Sequence, residues 1–230
     1  MSAYHSLFLH EEILLLALRD EEGTIAGGMY QYAIGGALLA ELLLQKRIAT
    51  DEKKKKLVNL LSQTPLGDPL LDECLEKVNS AKRRASLETW VSRFAGIKNL
   101  KHRIAERLCQ RGILRMDEDK ILFLFTRKIY PEVNPGPEKE IINRLQDAVS
   151  GKTHDVDPRT VVLISLAYHA DLLRNVIDKK ELKERKEYIK QIIQGDLTGT
   201  AAKEAIEAVQ AAIMIAVIMP AITATAVTSS

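Results

Sequence analysis

The chain has 230 residues, of which 46% are hydrophobic and only 5% aromatic, and its formal net charge is +2. This apolar content excludes wholesale disorder, and the abundance of Leu, Ile and Ala favours helix packing over a β-sandwich. The small net charge argues against a nucleic-acid partner, so any anion site must come from local clustering of Lys and Arg. The scattered His and Cys residues show no metal-ligand spacing, and we expect neither a metal site nor a cofactor.

The first two helices are predicted from apolar spacing. One begins at a Ser6 cap and ends at residues 20–23, where the sequence is Asp-Glu-Glu-Gly. The second covers residues 29–45 and is apolar on nearly every side, so we expect it to lie at the centre of the fold. Its Gly35 and Gly36 allow another element to approach closely.

A hairpin and a capped helix are predicted next. Short strand candidates at residues 47–50 and 57–61 flank a charged run, a pattern typical of a hairpin with a solvated tip. Asp68 then predicts the N-cap of a helix that runs to about Val78, with Pro69 at its first position.

The middle of the chain predicts two more helices and a second hairpin. Ser86 begins one helix, and an amphipathic helix covers residues 99–110 and ends at Gly112. The second hairpin is predicted from strands at residues 113–116 and 120–126, around an acidic tip.

The last third of the chain predicts helices and an apolar tail. Residues 208–227 carry no charge and are long enough to cross a bilayer. Their Ala and Thr content and Pro220 favour a buried helix, followed by a loose tail from about residue 220. We predict a mainly α fold, with residues 1–230 as a single-domain bundle around a central apolar helix with short peripheral β-hairpins. Its late helices are expected over residues 138–150, 157–176, 179–194 and from 199 onward.

Several segments, spread over nearly the whole chain, resemble the Golgi phosphoprotein 3 family. They are EEILLLALRDEEG, ALLAELLLQKRI, GDPLLDECLEKV, RIAERLCQRGIL and DPRTVVLISLAYHADLL. The resemblance implies a helical core with hairpins at its edge, binding of phosphatidylinositol 4-phosphate on a basic face, and attachment to the cytosolic face of Golgi membranes. It also implies that the cytosolic tails of membrane enzymes are partners.

The resemblance carries half of the family's lipid pocket onto this sequence. The family's two basic residues three apart, ahead of the helix-then-hairpin junction, fall on Lys98 and Lys101. Its second-helix Arg falls on Gly35, and no Trp stands in the loop over residues 23–32. The resemblance therefore implies headgroup binding but leaves the lipid itself open.

The residues at the start of the 99–110 helix suit an anionic headgroup. Two lysines three apart share a helical face, and a helix N-terminus points free N–H groups at an anion. We therefore predict Lys98, Lys101 and Arg103, with His102 beside them, as headgroup-binding residues. A solvated basic face is the alternative interpretation. A further basic pair, Arg127-Lys128, could add attraction to an anionic leaflet, although such clusters more often solubilise a hairpin.

Two apolar regions are candidate membrane contacts. Tyr30 and Tyr32 could supply an amphipathic ring at the membrane interface. Leu122 and Phe123 belong to an unusually apolar strand that could insert into a bilayer or pair with a second subunit of a homo-oligomer. Packing within the protein's own fold is the alternative for both regions.

These observations predict a cytoplasmic, peripheral membrane adaptor that binds an anionic phospholipid headgroup at the membrane surface. The alternative is a protein-interaction module that grips short cytosolic tail peptides without recognising lipid. An enzyme acting on a small metabolite is the least favoured hypothesis, because the five His residues are scattered without a catalytic motif.

Overall fold

The protein is described from a computed structural model that covers residues 7–19, 24–25, 30–51, 57–121, 125–152 and 156–194. Within these residues the chain is mostly helical and carries small two-stranded antiparallel sheets, which confirms the predicted fold class at that level. The helices are α1 Leu9–Ala17, α2 Tyr30–Leu44, α3 Pro69–Asn79, α4 Leu87–Ala95, α5 Leu100–Gln110, α6 Gly136–Ser150, α7 Pro158–His169, α8 Lys179–Glu184 and α9 Lys186–Ile193. The paired strands are β1 Leu18–Arg19 with β2 Thr24–Ile25, β3 Ile48–Thr50 with β4 Val58–Leu60, and β5 Asp117–Ile121 with β6 Phe125–Ile129.

Side-chain caps fix the beginnings of three helices where the sequence predicted them. The Asp68 carboxylate accepts hydrogen bonds from the first backbone N–H groups of α3. Ser86 caps α4, and Asp157 caps α7 in the same way. Each cap satisfies an N–H group that has no partner within its own helix. The predicted starts of these helices are confirmed.

Helix α2 is buried at every residue from Ala33 to Leu42 and contacts α1, α3, α4 and α7. Gly35 lies against α4, where an added Cβ would come within 2.6 Å of the Val91 carbonyl oxygen and 2.9 Å of the Ala95 nitrogen. No side chain fits at that spacing, so the predicted close approach is confirmed at Gly35. The position onto which the family's second-helix Arg falls therefore lies inside a helix–helix contact.

The register predicted for the second hairpin is wrong. The acidic residues assigned to its tip lie inside β5, and β6 ends at Ile129. In the observed register Glu118 lies opposite Lys128 and Asp119 opposite Arg127. Cross-strand pairs of opposite charge stabilise an antiparallel ladder, and this pairing is invisible to a search for apolar runs. The predicted membrane contacts Leu122 and Phe123 lie outside the described residues.

Two predicted helices are shorter than expected. The helix over 157–176 ends at His169, because Asp171 takes a left-handed conformation with φ of 61° and a short 3-10 turn follows. The helix over 179–194 is interrupted at Arg185, which separates α8 from α9.

Near the start of the chain the first helix is shorter than predicted, and several predictions for the two ends fall outside the described residues. Helix α1 ends at Ala17 because the next two residues form strand β1, which pairs with β2. The sequence did not predict this small sheet. The predicted Ser6 cap, the helix from residue 199 and the apolar segment 208–227 lie outside the described residues. Among the helices that are described, none has the length and apolar character needed to cross a bilayer.

Candidate anion-binding site

The first turns of α5 and the strand β6 line an open groove with a volume of about 490 Å³. Among the described residues that line it, four side chains are cationic and one is a carboxylate. The lining residues are Asn99, Lys101, His102, Arg103 and Glu106 from the α5 side, and Thr126, Arg127 and Lys128 from β6. The groove therefore presents an excess of positive charge from two separate elements.

Helix α5 reaches the groove because of its amphipathic pattern. Leu100, Ile104, Ala105 and Leu108 are buried, and the helix packs against α1. This buried stripe leaves the polar residues of the first turns facing away from the core. Asn99 precedes the helix in a left-handed conformation with φ of 57°, so the regular helical path begins only after it.

Lys101 is the most distinctive cation of the groove. Its side chain is half-buried, and its Nζ lies 5.9 Å from the centre of the Tyr130 ring. Burial lowers the pKa of Lys101, and the positive charge of Arg127 lowers it further. No ion pair joins Lys101 to a carboxylate anywhere in the part of the chain that the structure describes. Its charge thus has no carboxylate partner among the described residues and can be met by an anion.

The other three cations of the groove are held by carboxylates. Arg103 Nη1 lies 2.6 Å from Glu73 Oε2, and Arg127 Nη2 lies 2.7 Å from Asp119 Oδ2. A looser pair, at 3.4 Å, joins Lys128 Nζ to Glu106 Oε1. Exposed pairs of this kind contribute little to stability, but they orient long side chains. A guanidinium group has five N–H donors, and Glu73 and Asp119 occupy only some of them, so Arg103 and Arg127 can still donate to a ligand.

His102 also lines the groove, and its side chain is uncharged at neutral pH. Its Nδ1 is 2.8 Å from the Tyr130 hydroxyl oxygen. Burial lowers the pKa of His102, the charges of Lys101 and Lys128 lower it further, and Glu106 opposes them. Burial also raises the pKa of Tyr130 to about 12, with Glu106 and Cys109 adding to the effect, so its hydroxyl stays protonated.

The structure brings together two of the three predicted headgroup-binding residues. Lys101 and Arg103 both line the groove, although Arg103 is already paired with Glu73. Lys98 is exposed in the turn before α5 and is not part of the lining. Arg127 and Lys128 belong to the groove instead, and the sequence identified them only as a basic pair.

The two tyrosines on α2 that were predicted to contact a membrane pack against the protein's own core. Tyr30 and Tyr32 lie in the first turn of α2, are half-buried, and pack against the hydrophobic core. Their contact with a membrane stays a prediction.

A second charged cluster lies at the other end of α5, and its carboxylates are closed to solvent while its two arginines are partly exposed. Arg107 contacts Asp68 at 3.1 Å and Glu11 at 3.3 Å, and Arg111 contacts Glu11 at 2.8 Å. His10 Nε2 lies 3.6 Å from Asp68 Oδ2, and the side chains of His10, Glu11 and Asp68 have no exposed surface. We call these five residues the buried cluster. A ligand cannot reach its carboxylates, so the cluster joins α1, the start of α3 and α5 rather than forming a site.

The chain is similar to proteins of a known family. The family described as Golgi phosphoprotein 3 (GPP34) matches residues 9–209 of the chain. Vacuolar protein sorting-associated protein 74 of Schizosaccharomyces pombe is 24% identical over 220 residues, and the match covers 81% of this chain and 65% of the relative. The chain thus spans a little under two thirds of that relative's length.

Proposed function

Because the chain belongs to the Golgi phosphoprotein 3 family, we propose that it is a peripheral membrane adaptor of Golgi-related trafficking that binds an anionic phospholipid headgroup in the groove between α5 and β6. The observation that carries the proposal is Lys101, a half-buried ammonium group without a carboxylate partner among the described residues. A half-buried charge of this kind interacts more strongly with an anion than a fully solvated one, because the local dielectric constant is lower.

The donors around Lys101 match the oxygens of a phosphate group. Arg103 and Arg127 offer planar guanidinium forks, which suit bidentate phosphate binding, and Lys128 adds a point charge. Thr126 and Asn99 contribute neutral hydrogen-bonding groups to the same lining. A headgroup phosphate in the groove can thus receive hydrogen bonds from both walls.

Phosphatidylinositol 4-phosphate is the lipid that family membership suggests for this groove. Gly35 of α2 lies directly against α4, so the second helix offers no cation at that position. We propose that Arg127 and Lys128 of β6 supply the missing positive charge from the opposite wall. Attachment to the cytosolic face of Golgi membranes and binding of the cytosolic tails of membrane enzymes complete the proposed adaptor role.

The proposal is tested by flotation of the full chain with phosphatidylcholine vesicles that contain phosphatidylinositol 4-phosphate. We expect flotation that weakens as salt is added, because surface charge interactions are screened. Lys101→Ala should weaken binding by roughly tenfold to a hundredfold, the effect of losing a hydrogen bond to a charged group. Lys180→Ala removes an equal charge from exposed α8 and should leave binding unchanged.

Two outcomes would contradict the proposal. Equal losses for Lys101→Ala and Lys180→Ala would mean that net charge, and not the groove, attracts the membrane. Absence of flotation at every salt concentration, with retention of basic-apolar tail peptides on the immobilised protein, would favour a peptide-binding module instead.

A further inference from the structure

We propose that His102 takes up a proton when a phosphate group enters the groove, so that the protein holds anionic membranes more tightly as the pH falls. This inference rests on the proposed function, since it concerns the regulation of the same groove. It assigns to His102 the role of a binding residue whose charge depends on the ligand.

The surroundings of His102 accommodate both of its charge states. The neutral ring can accept a hydrogen bond at Nδ1 from the Tyr130 hydroxyl, and the protonated ring can donate from Nδ1 to the same oxygen. Tyr130 is buried and its ring lies 5.7 Å from the His102 ring, so this partner stays in place. Protonation therefore adds a positive charge to the groove without breaking the existing contact.

Without a bound anion, the cations of the groove oppose that protonation. Lys101 and Arg103 flank His102 on α5, and Arg127 and Lys128 face it from β6. Glu106 is the carboxylate among these described neighbours, and it is shared with Lys128. Burial and the surrounding positive charge together hold the pKa of His102 below its usual range. The ring is thus harder to protonate without an anion than a solvent-exposed histidine is.

A bound phosphate reverses this balance. Its negative charge offsets the repulsion from Lys101 and Lys128 and stabilises the imidazolium, so the pKa of His102 rises on binding. By linkage, a ligand that favours the protonated ring is itself bound more tightly when the ring is protonated. Affinity is independent of His102 above the pKa of the bound state. It then rises by up to about tenfold per pH unit between the two pKa values, and it levels off below the pKa of the free state.

The experiment uses vesicles of phosphatidylcholine with phosphatidylglycerol, whose phosphodiester keeps its charge across the pH range tested. Between about pH 7.5 and pH 5.5, where histidine titrates, we expect the wild-type partition coefficient to rise roughly tenfold. His102→Gln keeps a polar side chain but cannot ionise, and it should show a rise of less than about twofold over the same range. His169→Gln on α7 is the matched control and should behave like the wild type.

A second measurement avoids any doubt about the folding of a variant. The pKa of His102 in the wild-type protein is followed by NMR in sulfate and in chloride at equal ionic strength, since sulfate remains a dianion throughout. We expect the pKa of His102 to be higher in sulfate than in chloride.

The outcomes separate this inference from the proposed function. Vesicle binding with identical pH profiles for the wild type and His102→Gln, or a His102 pKa that ignores sulfate, would overturn the inference alone. Failure of the wild type to bind anionic vesicles at any pH would overturn both.

Discussion

The basic side chains of helix α5 lie in two different environments. Its last turns send Arg107 and Arg111 into the buried cluster, where each guanidinium meets a carboxylate that has no exposed surface. Its first turn sends Lys101 and Arg103 into the open groove, where cations outnumber carboxylates among the described lining residues. Cations of α5 therefore serve the fold where buried carboxylates pair with them, whereas Lys101, which has no carboxylate partner among the described residues, is available to a ligand.

The two regions differ in the solvent exposure of their carboxylates, which are buried in the buried cluster and exposed beside the groove. Removing one partner from a buried ion pair leaves an uncompensated charge in a low dielectric, which is costly even where the intact pair adds little net stability. Removing one partner from an exposed pair returns the other charge to water. The buried cluster should thus respond to mutation through stability, and the groove through binding.

The largest expected effect is that of Asp68→Ala. The substitution removes the cap of α3 and the carboxylate that both Arg107 and His10 contact, so that Arg107 keeps only Glu11. We expect the free energy of unfolding to fall by about 2–5 kcal/mol, the sum of a lost cap and a lost hydrogen bond between charged groups. Urea denaturation measures this loss. Asp119→Ala makes the same change beside the groove, where the partner is an exposed Arg127, and should cost less than about 0.5 kcal/mol.

Equal losses for Asp68→Ala and Asp119→Ala would remove the distinction between the two regions. A loss below about 1 kcal/mol for Asp68→Ala would show that the contacts of Asp68 with Arg107 and His10 contribute little to the stability of the fold.

Local signals in the sequence predicted the helices around these regions well. Asp68, Ser86 and Asp157 act within their own first turns, so each cap is visible in a few consecutive residues. The buried cluster depends on contacts between His10, Asp68 and Arg107, which are far apart in the sequence, and no local pattern predicts them.

The groove was predicted in part, for the same physical reason. Lys101 and Arg103 follow from helical spacing within α5. Lys98 was included on the assumption that it shares that helical face, but the helix begins at Leu100, and the left-handed Asn99 changes the direction of the chain. The contribution of Arg127 depends on the register of β5 against β6, which is set across strands and not along them.

A smaller effect is expected for a substitution in the groove, where binding rather than stability should change. Glu106→Gln removes the carboxylate that lines it and releases Lys128 from its ion pair. We expect affinity for phosphatidylglycerol vesicles to rise by about twofold to fivefold, with a change in unfolding free energy below about 0.5 kcal/mol. Co-sedimentation at fixed ionic strength measures the gain. Glu187→Gln on exposed α9 removes an equal negative charge and controls for net charge.

A gain of similar size for Glu187→Gln would assign the effect to the charge of the whole protein. A loss of affinity for Glu106→Gln would mean that its ion pair with Lys128 is needed to hold the groove in its binding geometry.

The central claim is that α5 binds an anion at its beginning and supports the fold at its end. Titration of the full chain with soluble inositol 4-phosphate, followed by amide NMR, tests this most directly. We predict saturable shifts at Lys101, His102 and residues 126–128, with little change at Glu11, Asp68 and Arg111. Shifts centred on the buried cluster, or uniform shifts over all exposed basic residues, would contradict the account.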